Sequence, residues 1–480
     1  MDICSGIINY KHIYKLKDKN KNNKFMYGFI FTFINNDLNL IHNKKIILYS
    51  NKFETFTKSF SSRPNDLCTV YFTNDYSEIK LHHIIGPVSD FNCVKIALLN
   101  YSPKFPIKPF KFKNLDNFNE LPLFLTNDIY TITIDPIGCI DIDDAVSYID
   151  EHNFIIHIAN PSIYSHFIND YYDNITSIYF YDKTQHLLPE LFSTNLISLI
   201  QHKIRSVISI YINLDCNNDY KPNIIKVCIN NIAVNKNYSY DEANNILFNN
   251  NDSIIANLFN LSSKLIPYYY KNGQKLIDTH QMIELFMLCS NHLIGNYLYI
   301  NNCNPIFRSS TDDGFGQYSL INNYHKYLEL ENYIHFTSPI RRIIDYINLL
   351  KLIRFIDLDK FINNEILDIE KYDLNYINEY NVVLKKVINK INYVELCKNI
   401  DNNNDCVIFN CCLKKIINKV IFCWLINDLN IVIYSKLCNE LFIDDFKNII
   451  DSLIINDNYD IKLFVSINKY NIPKILFSFN

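Results

Sequence analysis

Residues 130–145 read Tyr130-Thr-Ile-Thr-Ile-Asp135-Pro-Ile-Gly138-Cys-Ile-Asp141-Ile-Asp143-Asp144-Ala145. The β-rich run Tyr130–Ile134 predicts a strand leading into Asp135, followed by a Pro/Gly turn and three more acids within four residues. Two carboxylates ~5 Å apart repel by roughly 3 kcal/mol at an effective dielectric of ~20. Four of them sharing one concave site require a multivalent cation, and carboxylate oxygens favour a hard ion, Mg²⁺ or Mn²⁺. A calcium EF-hand does not fit, because Ala145 and Val146 stand where a ligand and the turn glycine are needed. The competing reading is a solvated acidic loop. Against it, apolar strands flank the acids on both sides.

Outward from this stretch, the next signal is His335-Phe-Thr-Ser338-Pro339-Ile-Arg341-Arg342. Ser338 suits an N-cap and Pro339 the first helical position, so the spacing predicts a helix over Pro339–Ile356. Arg341 and Arg342 then fall in its first turn, where a cation is disfavoured by roughly 0.3–1 kcal/mol. Only 6 of the 46 basic residues are arginine, so two of them at such a place need a reason. A phosphate held by backbone N–H groups and a guanidinium fork is one. A buried ion pair with Asp345 is the other.

The rest of the chain bounds the answer. At ~150 residues per domain, 480 residues suggest roughly three domains, and a 48% hydrophobic composition supplies several cores. No run of ~18 apolar residues predicts a membrane span. The first residues lack the features of a secretory signal, so a cytoplasmic location is expected. The 14 cysteines form no CxxC pair and read as reduced thiols. A net charge of −4 confines any nucleic acid to a local cationic groove. Phe25–Phe33 and Lys45–Ser50 read as strands around an Asn35-Asn36-Asp37 turn, and Pro103–Lys113 as a linker. A helix is predicted over Gln281–Ile300, with Ile283, Phe286, Met287, Ile294 and Leu298 on its core face. Ile461–Ile467 is expected to pair with Lys474–Phe479 in a small antiparallel barrel.

The stretch from Thr131 to Ser147 resembles the acidic signature of the RNB exoribonucleases, the ribonuclease II and ribonuclease R family, and His335–Arg342 resembles the arginine motif of that family. Between them, in order, come Ile156-His157-Ile158-Ala159, Thr176-Ser177-Ile178-Tyr179, Leu188-Pro189, Arg205, Tyr238–Ala243, Phe286-Met287-Leu288 and Arg308. The resemblance spans about residues 120–355.

It implies an α+β chain: a central catalytic domain of mixed strands and helices, flanked by small β-barrel-like modules of cold-shock and OB type. The expected boundaries are 1–115, 116–400 and 401–480. The implied activity is metal-dependent 3′→5′ hydrolysis of single-stranded RNA to nucleoside 5′-monophosphates by a monomer with no membrane attachment. Asp135, Asp144 and Asp141 match the ligands of Mg²⁺ (or Mn²⁺), and Asp141, Asp143 and Arg341 the catalytic positions. Tyr179 matches the tyrosine that stacks on the terminal base, and Arg342, Arg205 and Arg308 are expected to contact RNA. The chain departs from the family at Asn160 and Leu285, where acids are usual, and at Leu349-Leu350, where His-Arg is usual. These departures favour an alternative: a catalytically weak relative that binds RNA or acts as a scaffold.

Overall fold

The computed structural model describes residues 3–17, 25–34, 40–48, 65–72, 79–87, 93, 96, 121–126, 128–168, 175–180, 183–249, 253–271, 274–310, 316–357, 373–402, 407–417, 421–426, 431–437, 453–467 and 473–479. It divides into two compact units, one of Met1–Pro109, Tyr179–Lys183 and Tyr380–Asn480, the other of Phe110–Ile178 and Thr184–Glu379.

In the first unit, strands β1 (Ile3–Lys17), β2 (Phe25–Ile34), β3 (Leu40–Leu48), β4 (Asn65–Phe72) and β5 (Ile79–Pro87) form a sheet in the order β3-β2-β1-β4-β5. Its neighbours are antiparallel throughout. The expected Asn35-Asn36-Asp37 turn and the Pro103–Lys113 linker lie outside the described residues.

The second unit is built on strands β6 (Thr131–Asp135), β7 (Asp144–Tyr148), β8 (Asn153–Ala159), β11 (Ile204–Asp215), β12 (Lys221–Ala233) and β13 (Lys236–Ser239); β9 (Ile178–Tyr179) and β10 (Thr184–Gln185) are short. The six lie in the order β12-β11-β8-β7-β6-β13. Pairing is antiparallel except between β13 and β6. Six of the seven residues of β8 are buried, so it reads as a continuous apolar run with no alternation, as a strand covered on both faces does. Helices α1 (Tyr240–Asn249), α2 (Ile254–Ser263), α3 (Thr279–Ile300) and α4 (Ile343–Ile356) belong to this unit, and α3 packs on α2 and on β6 and β12. Asp278 caps α3 by accepting the Gln281 N–H at 3.0 Å, so the helix begins at Thr279, two residues before the expected start. Met287 is only partly buried, whereas Met282, Leu285 and Cys289 are fully covered. The core stripe is therefore wider than its spacing suggests. A hairpin, β14 (Phe307–Ser310) with β15 (Gly316–Ser319), completes the strands of this unit that concern the site.

Towards the C-terminus, helix α5 (Leu374–Asn402) precedes a closed barrel of β16 (Val407–Ile417), β17 (Ile421–Ile426), β18 (Ile431–Leu437), β19 (Asn458–Ile467) and β20 (Pro473–Phe479). The order β16-β17-β18-β20-β19 is that of a five-stranded OB-type barrel. The expected pairing is present, with Leu463 opposite Phe477. One seam corrects the antiparallel expectation: β18 and β20 run parallel, because the third and fifth strands must meet for the barrel to close. Leu396, Cys397 and Ile400 of α5 join Leu413, Phe422, Trp424, Leu463 and Phe477 in the barrel core. Cys411 and Cys412 are buried free thiols there. Among the described residues, no helix is long and apolar enough to cross a membrane.

Trp424 is the only tryptophan of the chain and is fully buried against Phe422 and Phe477. Its fluorescence therefore reports the barrel alone. Leu463→Ala is expected to destabilise the barrel by about 2–5 kcal/mol, shifting the urea midpoint of the Trp424 emission. An unmoved midpoint would contradict the packing.

Candidate active site

Strand pairing gathers the acids. β6 ends in Asp135 and its antiparallel neighbour β7 begins with Asp144, with Thr131 opposite Ser147, so both carboxylates leave at one end of the sheet. Residues 136–143 bridge them. The turn closes through the Cys139 N–H to the Pro136 carbonyl (3.0 Å), and Gly138 adopts φ +77, a left-handed conformation that favours glycine. β13 runs parallel to β6, with Ser239 beside Asp135, and passes directly into α1. There Ser239 and Glu242 form a reciprocal capping box. This brings Tyr240 to the same end of the sheet, where Asp144 and Asp135 add to burial in raising its hydroxyl pKa.

Asp143 is buried, its Oδ1 accepting the Ile340 N–H (2.8 Å) and its Oδ2 accepting Arg341 Nε–H (3.2 Å). Burial pushes its carboxyl up, while Arg341 and the Ile340 N–H pull the other way. Asp141 is also buried, with His186 Nδ1 at 3.7 Å from Oδ2 and the Cys139 thiol at 3.8 Å from Oδ1. Burial raises Asp135 to about 6, opposed by a Thr133 hydrogen bond and Arg341. Burial, then the Asp135 charge, raises Asp144 to about 7.

Among the described residues, no three Asp, Glu, His or Cys side chains converge into a complete cage for a metal. Mg²⁺ is commonly held by one or two carboxylates, water and substrate phosphates. Asp135 Oδ2 is buried without a hydrogen-bond partner, a donor atom to which a cation would give one. The carboxylates present thus fit a hard dication.

The arginine segment corrects the expected helix start. Residues 339–341 form a turn in which the Ser338 carbonyl accepts the Arg341 (3.3 Å) and Arg342 (3.0 Å) N–H groups. Arg342 is extended (φ −133, ψ 124), pairs with Thr176 and precedes α4 as its N-cap. Thr176 and Ser177 both bond the Arg341 carbonyl, which holds the backbone out of the helix. Arg341 therefore lies before the helix, while Arg342 stands at its N-cap with the acidic Asp345 in the first turn. The ion pair with Asp345 belongs to Arg342. Arg342 Nη2 donates to the fully buried Asp345 at 2.7 Å, and Asp345 also accepts the Ser338 N–H (2.9 Å). Arg341, with its side chain 43% exposed, donates from Nε to Asp143 and from Nη2 to Ser338 Oγ (3.0 Å).

Arg205 and Arg308 are engaged by neighbouring protein groups. Arg205 is 4% exposed, and its guanidinium donates to Asn195 and Ser198 carbonyls inside the unit. Arg308 stacks over the Tyr318 ring at 4.6 Å, and a Cβ at Gly316 would overlap its guanidinium. Tyr179 is exposed and belongs to the first unit, not to that of the carboxylates. Sequence reasoning missed His186, Ser198, Cys139 and Tyr240 as neighbours of the acids. The capping box marked Tyr240; a lone serine and a lone histidine in apolar runs carried no signal. The departures are accommodated. Leu285, Leu349 and Leu350 are buried in the core. Asn160 accepts the Ser162 N–H (3.2 Å) and donates to Ser206 Oγ (3.1 Å), which a carboxylate cannot do.

The family profile of the RNB domain matches residues 125–274. Ribonuclease R of Chlamydia pneumoniae is 24% identical over 365 residues, covering 55% of this chain and 53% of that protein. The chain thus spans about half the length of that curated relative. The apo form of Mycoplasma genitalium RNase R superposes with TM-score 0.60 at 16% identity, over 98% of this chain and 94% of that one. Yeast Ssd1, described as a pseudonuclease, superposes with TM-score 0.61 at 14% identity, over 91% and 65%. These likenesses confirm the expected fold.

Raised carboxyls make a signed prediction. Asp135 and Asp144 keep protons in the folded state that they release near pH 3.8 when unfolded, so metal-free stability falls as pH rises through about 6 to 7. A dication binding the ionised pair reverses this. The melting temperature in EDTA should drop between pH 5 and 8, and Mn²⁺ should raise it more at pH 8 than at pH 5. Equal cation effects at both values would refute the assignment.

Proposed function

We propose that this chain, whose central domain belongs to the RNB family, is a metal-dependent exoribonuclease that releases nucleoside 5′-monophosphates from the 3′ end of single-stranded RNA. The observation that carries the reading is the pairing of buried Asp143 with half-exposed Arg341, held 198 residues apart in sequence, beside Asp135, Asp141 and Asp144. In this reading Asp135 and Asp144, helped by Asp141, hold Mg²⁺ or Mn²⁺. The cation, when bound, neutralises phosphate charge and makes its water a usable nucleophile near neutral pH. Asp143 keeps its carboxylate oriented through the Ile340 N–H and Arg341. The Arg341 guanidinium grips the scissile phosphate and stabilises charge that grows in the transition state. Arg342, tied to Asp345, holds the turn that aims Arg341. Tyr179 stacks on the terminal base, a contact that is blind to sequence.

In the same reading, residues 116–400 are the catalytic segment of a cytoplasmic monomer, flanked in sequence by β-rich modules at 1–115 and 401–480. The likeness to the Ssd1 pseudonuclease favours a second reading, an RNA-binding chain with little turnover.

With 5′-labelled poly(A), the purified chain should shorten RNA from its 3′ end in Mg²⁺ and stop in excess EDTA. Asp143→Asn should abolish hydrolysis while RNA binding persists. Retention of RNA without any shortening by the unaltered chain would select the second reading.

Arg341→Lys keeps the charge but loses the planar fork, so single-turnover rate should fall about 10²-fold or more with little change in melting temperature. Asp345→Asn should lower the melting temperature, because it strips the buried partner of Arg342. Near-normal turnover in Arg341→Lys would refute the phosphate grip.

A further inference from the structure

The loop that carries Asp141 and Asp143 has no regular secondary structure, so something other than a sheet ladder must fix it. Ser198 does so from both sides. Its hydroxyl donates to the Ile140 carbonyl (2.8 Å) and accepts the Ile142 N–H (3.0 Å), while the Leu199 N–H donates to the Ile142 carbonyl (3.1 Å). Asp141 lies inside this bracket and Asp143 directly after it.

Ser198 is itself held by Arg205. From β11, Arg205 Nε donates to the carbonyls of Asn195 (3.1 Å) and Ser198 (3.2 Å), Nη1 to that of Ile204 (2.9 Å) and Nη2 to Asn195 Oδ1 (3.1 Å). Asn195 is within a single π-helical turn, Phe192–Leu196, and carbonyls near the end of such a turn need outside donors that a guanidinium supplies. A planar fork meets several acceptors in fixed directions, which an ammonium cannot match.

We propose that Arg205 is a positioning residue of the active site: through Ser198 it sets the backbone at Ile140–Ile142 and thereby the placement of Asp141 and Asp143. This rests on the proposed hydrolytic reading, and it replaces the RNA contact expected for Arg205 from sequence. The residue is only 4% exposed.

Arg205→Lys, Ser198→Ala, their combination and Ser198→Thr separate the possibilities. Three quantities are measured on the full chain: amide hydrogen exchange at Ile142 and Leu199 without metal, Mn²⁺ binding by EPR, and single-turnover rate with KM on labelled oligoadenylate. Exchange at Ile142 and Leu199 should rise about 10-fold in Arg205→Lys and Ser198→Ala, the scale of one lost hydrogen bond. Rate should fall toward about 10²-fold, as for a small misplacement of catalytic groups, with Mn²⁺ binding weakened and KM nearly constant. The double variant should be no worse than Ser198→Ala, and Ser198→Thr, which keeps the hydroxyl, should restore exchange protection. Unchanged exchange with a raised KM in Arg205→Lys would overturn the proposal and put Arg205 on the RNA. Additive losses in the double variant would also overturn it, by breaking the chain through Ser198. If Arg205→Lys does not fold, the Ser198→Ala and Ser198→Thr pair decides by the same exchange readout. An inactive unaltered chain would sink the hydrolytic reading, while the exchange arm would still decide the positioning role.

Discussion

Repulsion among carboxylates that share one end of a sheet is the constraint around which the second unit is arranged. Every neighbouring feature answers it. One arginine reaches Asp143, one backbone N–H meets its other oxygen, and Asp135 keeps an oxygen with no hydrogen-bond partner. Burial first, and the charge of a neighbouring aspartate after it, raises the carboxyls of Asp135 and Asp144.

The acids were legible in the sequence because their spacing is short and their flanks are apolar. Asp135 and Asp144 terminate adjacent strands, and a strand–turn–strand reading places them together without any tertiary knowledge. The partner of Asp143 was not legible in that way: a separation of 198 residues leaves no local trace, and only the oddity of paired arginines in a lysine-rich chain pointed to it. The helix start was misread for a physical reason. Ser338-Pro339 is a sound local cap signal, but Thr176 and Ser177 claim the Arg341 carbonyl and pull the backbone into an extended pairing. Tertiary hydrogen bonds overruled local propensity by four residues. Arg205 was expected to contact RNA, yet it donates to the carbonyls of Asn195 and Ser198, in a segment whose path no periodicity reveals.

Both β modules share a wiring. The N-terminal order β3-β2-β1-β4-β5 and the barrel order β16-β17-β18-β20-β19 place first beside second and fourth, and second beside third, in each. In the C-terminal module the parallel seam between third and fifth strands closes the ring and removes both sheet edges. The barrel core is filled by large side chains, with Trp424 and Phe422 fully covered, so it is a packed body.

The distance along the chain between Asp143 and Arg341 also imposes an order of birth. A ribosome adding about 5–20 residues per second takes roughly 10–40 s to travel between them. Throughout that interval the nascent acids have emerged without their guanidinium, and the strands that carry them are complete while the turn that completes the site does not yet exist. The sheet can assemble early; its chemistry cannot. A chain cut short anywhere between these two residues therefore carries the acids without Arg341.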